Sequence, residues 1–203
     1  MSEAGRGRGR PPVSSREEVE AVAVDLFLAH GYAATGISAI TAAAGVSRST
    51  FFRYFPSKSG VIWSAFDDHT ERLRGLLARA GADRPVMTVV RSCVVEALRA
   101  SVDDRRIWMK RFVILDESPE LRAEESAQWI SWAEAVAEYV ADRLGEDSAG
   151  LRPASIGGAV QAAFLAALRS WKTATASAPE LLRELDRDLV PLCDVLQGWI
   201  DQE

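Results

Sequence analysis

Apolar side chains recur along this chain at three- and four-residue intervals, and no alternating strand pattern interrupts them. The pattern predicts an all-α protein of about nine helices. Val19, Val22, Ala23, Leu26 and Phe27 fall on one face of a first helix. Ser14 or Ser15, each three residues ahead of Glu17 or Glu18, opens it with capping-box spacing, and Gly31 ends it. A second, short helix is predicted from about Thr35 to Ala44. Gly45 then turns the chain, Ser47 caps a third helix, and Pro56 stops that helix after Phe55. Farther along, Ile62, Phe66, His69, Leu73 and Leu76/Leu77 form one stripe, and Val86, Val89, Val90, Cys93, Val94, Ala97 and Leu98 form another. Ile107, Trp108, Phe112 and Leu115 mark a helix over about 103–115. Proline at the first helical position opens the next three: Ser118-Pro119 starts a long helix to Leu144, and Pro153 and Pro179 start the last two. Pro191 is expected to kink the last one.

One stretch carries chemistry: "AAAGVSRSTFFRYFPSK", residues 42–58. Helix, short glycine turn, helix is the helix-turn-helix pattern. Ala42, Ala43 and Ala44 are expected to be small so that the two helices meet near the turn. Gly45 supplies a left-handed residue, and Val46 plugs the small core. Ser47 caps the second helix and leaves amide groups outward, a natural phosphate contact. Ser47 to Phe55 spans roughly 13 Å, against a major groove about 12 Å wide. Arg48, Ser49 and Thr50, then Phe52 and Arg53 a turn later, are its candidate outward positions. Arginine can read guanine, Thr50 and Phe52 can meet a thymine methyl, and the Tyr54 hydroxyl can reach phosphate. Phe51 and Phe55 are expected to face inward. Lys58, behind Ser57 at the start of the next helix, is expected to point at backbone phosphate with the helix dipole. The competing reading is a short connector whose aromatics are only core.

Charge supports the DNA reading once it is divided along the chain. Residues 1–60 hold seven basic against five acidic side chains, a net of +2, so a total of −5 leaves −7 for the remainder. A mildly basic head on an acidic body fits a protein in which only the head faces phosphate. The arm "RGRGRPP" places Arg6, Arg8 and Arg10 ahead of the first helix. It either enters a flanking minor groove or serves as a disordered basic tail.

These residues also resemble a known family. "GISAITAAAGVSRSTFFRYFPSKSGVI" is similar to the DNA-binding segment of the TetR family of bacterial regulators, over residues 16 to about 62. Ser49, Phe51 and Phe52 stand where glycine, leucine and tyrosine are usual, and the lost tyrosine hydroxyl removes one phosphate bond. The resemblance implies DNA contacts from Thr35, Ser47, Arg48, Ser49, Thr50, Phe52, Arg53, Tyr54 and Lys58. It also implies a homodimer with recognition helices ~34–36 Å apart on a palindromic operator. The implied organisation is a basic arm (1–14), a DNA-binding domain (15–60) and a ligand-binding and dimerisation domain (61–203). The segments "VIWSAFDDHTERLRGLL" and "SPELRAEESAQWISWAEAVAEYVADRLG" resemble a narrower group, the mycofactocin-system regulators. That resemblance implies a long-chain acyl-CoA-like ligand.

Such a ligand would lie among Trp63, Phe66, Val90, Val94, Trp108, Met109, Phe112, Trp129, Trp132 and Phe164. Its phosphate-rich head would seek the cluster Arg105, Arg106, Lys110 and Arg111. The competing reading makes the aromatics plain core and the cluster a solvated face answering nearby acids. The last two helices are expected to form the dimer interface. Their many small residues would allow close approach, with Phe164, Leu165, Leu168, Trp171, Leu181, Leu185, Leu189, Leu192 and Leu196 as knobs.

Other classes find less support. The sequence has no nucleophile–base constellation, metal-ligand set or phosphate loop, so neither an enzyme nor a cofactor or metal is expected. His69, on an apolar stripe, reads as a core or pocket-edge residue rather than a base. Cys93 and Cys193 read as buried thiols. No secretory signal or bilayer-spanning run is read, so a cytoplasmic location is expected. A DNA-binding architectural protein without an effector remains the second alternative to a ligand-released repressor.

Overall fold

A computed structural model describes residues 15–102, 107–171 and 176–202. Its described residues form α1 (Arg16–His30), α2 (Ile37–Ala44), α3 (Arg48–Tyr54), α4 (Gly60–Ala78) and α5 (Val86–Arg99). They continue with α6 (Ile107–Glu117), α7 (Pro119–Leu144), α8 (Leu151–Ser170), α9 (Ala178–Asp188) and α10 (Val190–Ile200), and no strand occurs among them. Leu189 alone separates α9 from α10 and keeps helical backbone angles, φ −76° and ψ −18°. Counting that pair as one bent rod gives the expected nine helices. The break precedes Pro191 because the proline has no N–H to donate and its ring crowds the carbonyl four residues back.

Local chemistry explains the first elements. Ser15 Oγ accepts from the Glu18 amide at 3.2 Å, and the Glu18 carboxylate accepts from the Ser15 amide at 2.9 Å. This is the predicted capping box. Gly31 leaves α1 at φ 86° and Gly45 turns at φ 66°, angles that L side chains rarely adopt. Three starts differ from expectation, one of them α8, which begins at Leu151 so that Pro153 is its third residue. The second helix begins at Ile37 rather than Thr35, and the fourth at Gly60 rather than Ser57. Ser57 Oγ instead accepts from the Gly60 amide at 2.9 Å, so Ser57 to Ser59 form a turn leading into α4. Ala42 and Ala43 are exposed, and of the small residues near the turn it is half-buried Ala44, with Val46, that packs on the core.

Val19, Ala23, Phe27, Ile40, Phe51 and Phe55 bury one another beneath α1–α3, and the hydrophobic cluster continues unbroken through α4 to Ile200. α4 packs on α1, α5 and α7, so it touches both the small N-terminal bundle and the body. α7 and α8 form the most intimate pair. A side chain at Gly157 would collide with the backbone carbonyl of Ala133. Most of the proposed dimer knobs turn inward: Phe164, Leu168, Trp171, Leu181, Leu185, Leu189 and Leu196 are buried in their own chain, and Leu165 and Leu192 are half-buried. The outward apolar positions of these helices are Leu151, Val195 and Trp199.

Candidate nucleic-acid interface and effector core

α3 is a seven-residue helix standing on two buried rings. Phe51 and Phe55 are fully buried with centroids 5.6 Å apart, which fixes the helix to its domain. Ser47 Oγ accepts from the Thr50 amide at 3.1 Å and meets the hydroxyls of Ser49 and Thr50 at 2.8 and 3.0 Å. That completes the predicted cap and gathers three hydroxyls at one end. Arg48, Ser49, Phe52 and Arg53 are exposed, whereas Thr50 and Tyr54 are half-buried. The Arg48 guanidinium rests 6.0 Å from the Phe52 ring centre, and that of Arg53 lies 5.1 Å from Tyr54.

Two of the nine candidate DNA contacts are committed elsewhere. Thr35 is buried, and its hydroxyl donates to the carbonyls of Gly31 (2.8 Å) and Leu26 (3.3 Å). It pins the end of α1 to the turn before α2. Lys58 does not point along a helix dipole, because α4 starts two residues later. Its Nζ donates to the Tyr32 carbonyl at 2.9 Å and sits 3.9 Å from the Tyr32 ring centre. The Tyr32 carbonyl, which also accepts from the Thr35 amide at 3.2 Å, and the Tyr32 ring face together hold the ammonium.

The eleven candidate ligand contacts come together, but as packed core. Trp63, Phe66, Val90, Val94, Trp108, Met109, Arg111, Phe112, Trp129, Trp132 and Phe164 are all buried. Phe66 touches Trp63 at 5.3 Å, Trp108 at 4.8 Å, and Phe112 and Trp129 at 5.6 Å between ring centres. Phe164 is sandwiched between Trp132 (4.8 Å, 9°) and His69 (5.6 Å, 3°). Among the described residues these rings pack against one another at contact distance. Of the eleven, Trp108 and Arg111 also line a cleft of about 430 Å³ between α1, α4 and α6.

The sequence treated these rings as apolar walls and missed their polar edges. Nε1 of Trp63, Trp108 and Trp132 and Nε2 of His69 have no hydrogen-bond partner among the described residues. A buried donor left unpaired costs about 1–3 kcal/mol. Indole nitrogens can only donate, so this core holds unused donors suited to an acceptor-bearing ligand.

Burial, aided by the nearby Arg72 charge, holds the His69 pKa down to about 4, although a backbone bond at Ala97 opposes the shift. The imidazole is therefore neutral at pH 7, with Nδ1 3.4 Å from Ser101 Oγ. The unfolded chain binds that proton near pH 6.5 and the folded chain only near pH 4. Stability from this group is thus complete above pH 6.5 and is lost as pH falls toward 4. We expect His69→Gln to remove about 3 kcal/mol of the acid sensitivity across that window, read from urea midpoints at pH 7 and pH 4.5 against wild type.

The basic cluster beside the core answers acids on α1. Arg111 donates to Glu20, and Lys110 Nζ donates to Asp25 at 2.7 Å. Arg16 on α1 pairs with Asp68 of α4 at 3.1 Å. Glu20, Asp25 and Asp68 were not among the sequence candidates, and their partners lie 52 to 91 residues away, beyond any local spacing. Arg105, Arg106 and the arm arginines Arg6, Arg8 and Arg10 lie outside the described residues.

An arginine-bearing helix in a three-helix bundle, whose α1 is ion-paired to an aromatic-cored helical body, defines a DNA-binding regulator of the helix-turn-helix class. Residues 21–62 match the bacterial regulatory proteins of the tetR family, and residues 84–197 match the MftR C-terminal domain. The chain belongs to the TetR family of transcriptional regulators, which are not enzymes. A protein of Mycobacterium tuberculosis named as the mycofactocin biosynthesis transcriptional regulator MftR is 28% identical over 170 residues, 84% of each chain. The HTH-type transcriptional repressor AcnR of Corynebacterium glutamicum is 31% identical over 140 residues, 67% of each. Among solved structures, a SmeT–triclosan complex shares the fold with a TM-score of 0.61 at 21% identity, covering 90% of both chains. FadR of Thermus thermophilus in complex with lauroyl-CoA has a TM-score of 0.51 at 25% identity, covering 88% of this chain and 93% of that one.

Proposed function

We propose that this regulator is a homodimeric repressor that α3 seats on a palindromic operator, and that a long-chain acyl-CoA releases it. The observation that carries the DNA half is the outward set Arg48, Ser49, Phe52 and Arg53 on a helix anchored by Phe51 and Phe55. Likeness to MftR and to the lauroyl-CoA complex of FadR supports the acyl-CoA half. Dimerisation draws support from Leu151 and Val195, 81% and 71% exposed on α8 and α10 beside Trp199. α8 is long and apolar enough to cross a bilayer, with a third of its apolar window buried in the chain. A partner subunit on its open face accounts for that composition, consistent with a cytoplasmic regulator. A second reading, an aromatic effector, follows from the ring-lined core and its unused donors. The repressor SmeT, crystallised with triclosan, provides a precedent in the fold.

Release is a population shift: effector favours a conformation whose two α3 helices are misspaced for successive major grooves. The test is a mobility-shift assay on the gene's own promoter DNA. Wild type is expected to bind it as a dimer and to prefer it over random DNA at physiological salt. Arg48→Ala is expected to weaken that binding tenfold or more, the loss of one guanine contact at about 1–3 kcal/mol. Equal affinity for random DNA, or a monomer in solution, rejects the proposal. Release by triclosan but not by lauroyl-CoA selects the second reading.

A further inference from the structure

Arg111 and Glu20 form the most deeply buried of the described ion pairs, their side chains 6% and 15% exposed. The pair crosses from the body to the DNA-reading bundle, since Glu20 stands on α1 and Arg111 on α6. It walls the 430 Å³ cleft together with Trp108, Ser101, Arg72 and the carboxylates Glu17, Glu18 and Asp68. Two donors on this wall have no partner among the described residues, Arg111 Nε and Trp108 Nε1. Both residues are at least nineteen-twentieths buried. Trp108 is also the shared boundary with the aromatic core, touching Phe66 at 4.8 Å and His69 at 5.4 Å.

We propose that the cleft admits an anionic oxygen group of the effector, a carboxylate or a phosphate, which takes Arg111 from Glu20 and unlatches α1 from α6. The inference rests on the reading that the effector's apolar part enters the aromatic core. Its physical basis is exchange. Pulling Glu20 away with nothing in its place strands a buried charge, which is strongly unfavourable. Replacing one anion by another keeps the guanidinium paired, and the idle Nε–H supplies the edge that a bidentate oxygen pair needs. Glu20, once displaced, is left beside Glu17 and Glu18, whose like charges drive it outward rather than back, while Asp68 stays paired with Arg16. A neutral effector of the same shape offers no exchange and leaves the latch closed.

The experiment measures promoter binding and tryptophan fluorescence with laurate, lauroyl-CoA and methyl laurate as probes. Glu20→Gln is expected to weaken promoter binding at least tenfold without ligand, while Asp25→Asn, which breaks the more exposed pair with Lys110, changes it less than threefold. Glu20→Asp keeps the charge and serves if Glu20→Gln does not fold: it is expected to bind DNA and still respond to laurate. In wild type, laurate and lauroyl-CoA are expected to weaken promoter binding at least tenfold. Methyl laurate is expected to quench fluorescence and leave DNA affinity unchanged. Release by lauroyl-CoA alone assigns the site to phosphate, release by laurate alone assigns it to carboxylate, and release by both shows that it takes either anion. The latch is overturned if Glu20→Gln binds DNA like wild type, or if methyl laurate releases DNA as well as laurate does. If no probe quenches the tryptophans, the effector reading fails and the port with it.

Discussion

Replacing Gly157 by alanine is expected to cost the fold about 3 kcal/mol and to lower its thermal midpoint by roughly 6–12 °C, compared at equal protein concentration. A Cβ there would press into the Ala133 carbonyl oxygen and lie 3.2 Å from both the Ala133 carbonyl carbon and Ala137 Cβ. That carbonyl belongs to the backbone of α7, so it cannot rotate aside as the tip of a side chain would. α7 and α8 must separate instead, and Trp132 on one is stacked against Phe164 on the other. The neighbouring Gly158 tests the argument. A Cβ there meets nothing within 4 Å, so Gly158→Ala is expected to be neutral or to gain up to about 1 kcal/mol of helix propensity. Similar losses at both positions would show that the small-residue run serves propensity or a partner rather than this close approach.

Gly157 also shows where sequence reading stops. Small residues along the eighth helix announce a close approach, but not to which neighbour, and the structure uses Gly157 within the chain. Local signals were legible because they act over four residues: the Ser15–Glu18 box, the left-handed Gly45, the Ser47 cap. Phe51 and Phe55, four apart, reveal the inward face of α3 for the same reason. The intramolecular bonds of Thr35 and Lys58 were not legible because their acceptors, the carbonyls of Gly31 and Leu26 and that of Tyr32, come within reach only after the bundle folds. The ion pairs joining α1 to α6 span 85 and 91 residues and leave no periodic trace. As for the aromatic core, composition and spacing named its members, whereas the choice of which ring packs on which is made by the tertiary fold.

That choice gives the other large effect. Phe164→Ala is expected to destabilise the protein by about 3–5 kcal/mol, the usual loss for a phenylalanine removed from a close-packed site. Phe164 is fully buried and its ring is the spacer between His69 and Trp132. Without it, a void opens between the ring faces of His69 and Trp132, and water entering it can reach the unpartnered Nε2 and Nε1 at the ring edges. Hydration would lift the His69 pKa from about 4 back toward its ordinary 6.5, because burial is what depresses it. The variant should therefore start less stable at pH 7 yet lose less between pH 6.5 and 4 than wild type, a pattern readable by urea denaturation at several pH values. Phe164→Leu refills most of the volume and is expected to recover most of the loss while keeping the imidazole dry. If the core is where effector lodges, the alanine variant also presents that space already open, so lauroyl-CoA should raise its thermal midpoint more than that of wild type. An equal or smaller rise would mean that effector enters without displacing the Phe164 sandwich.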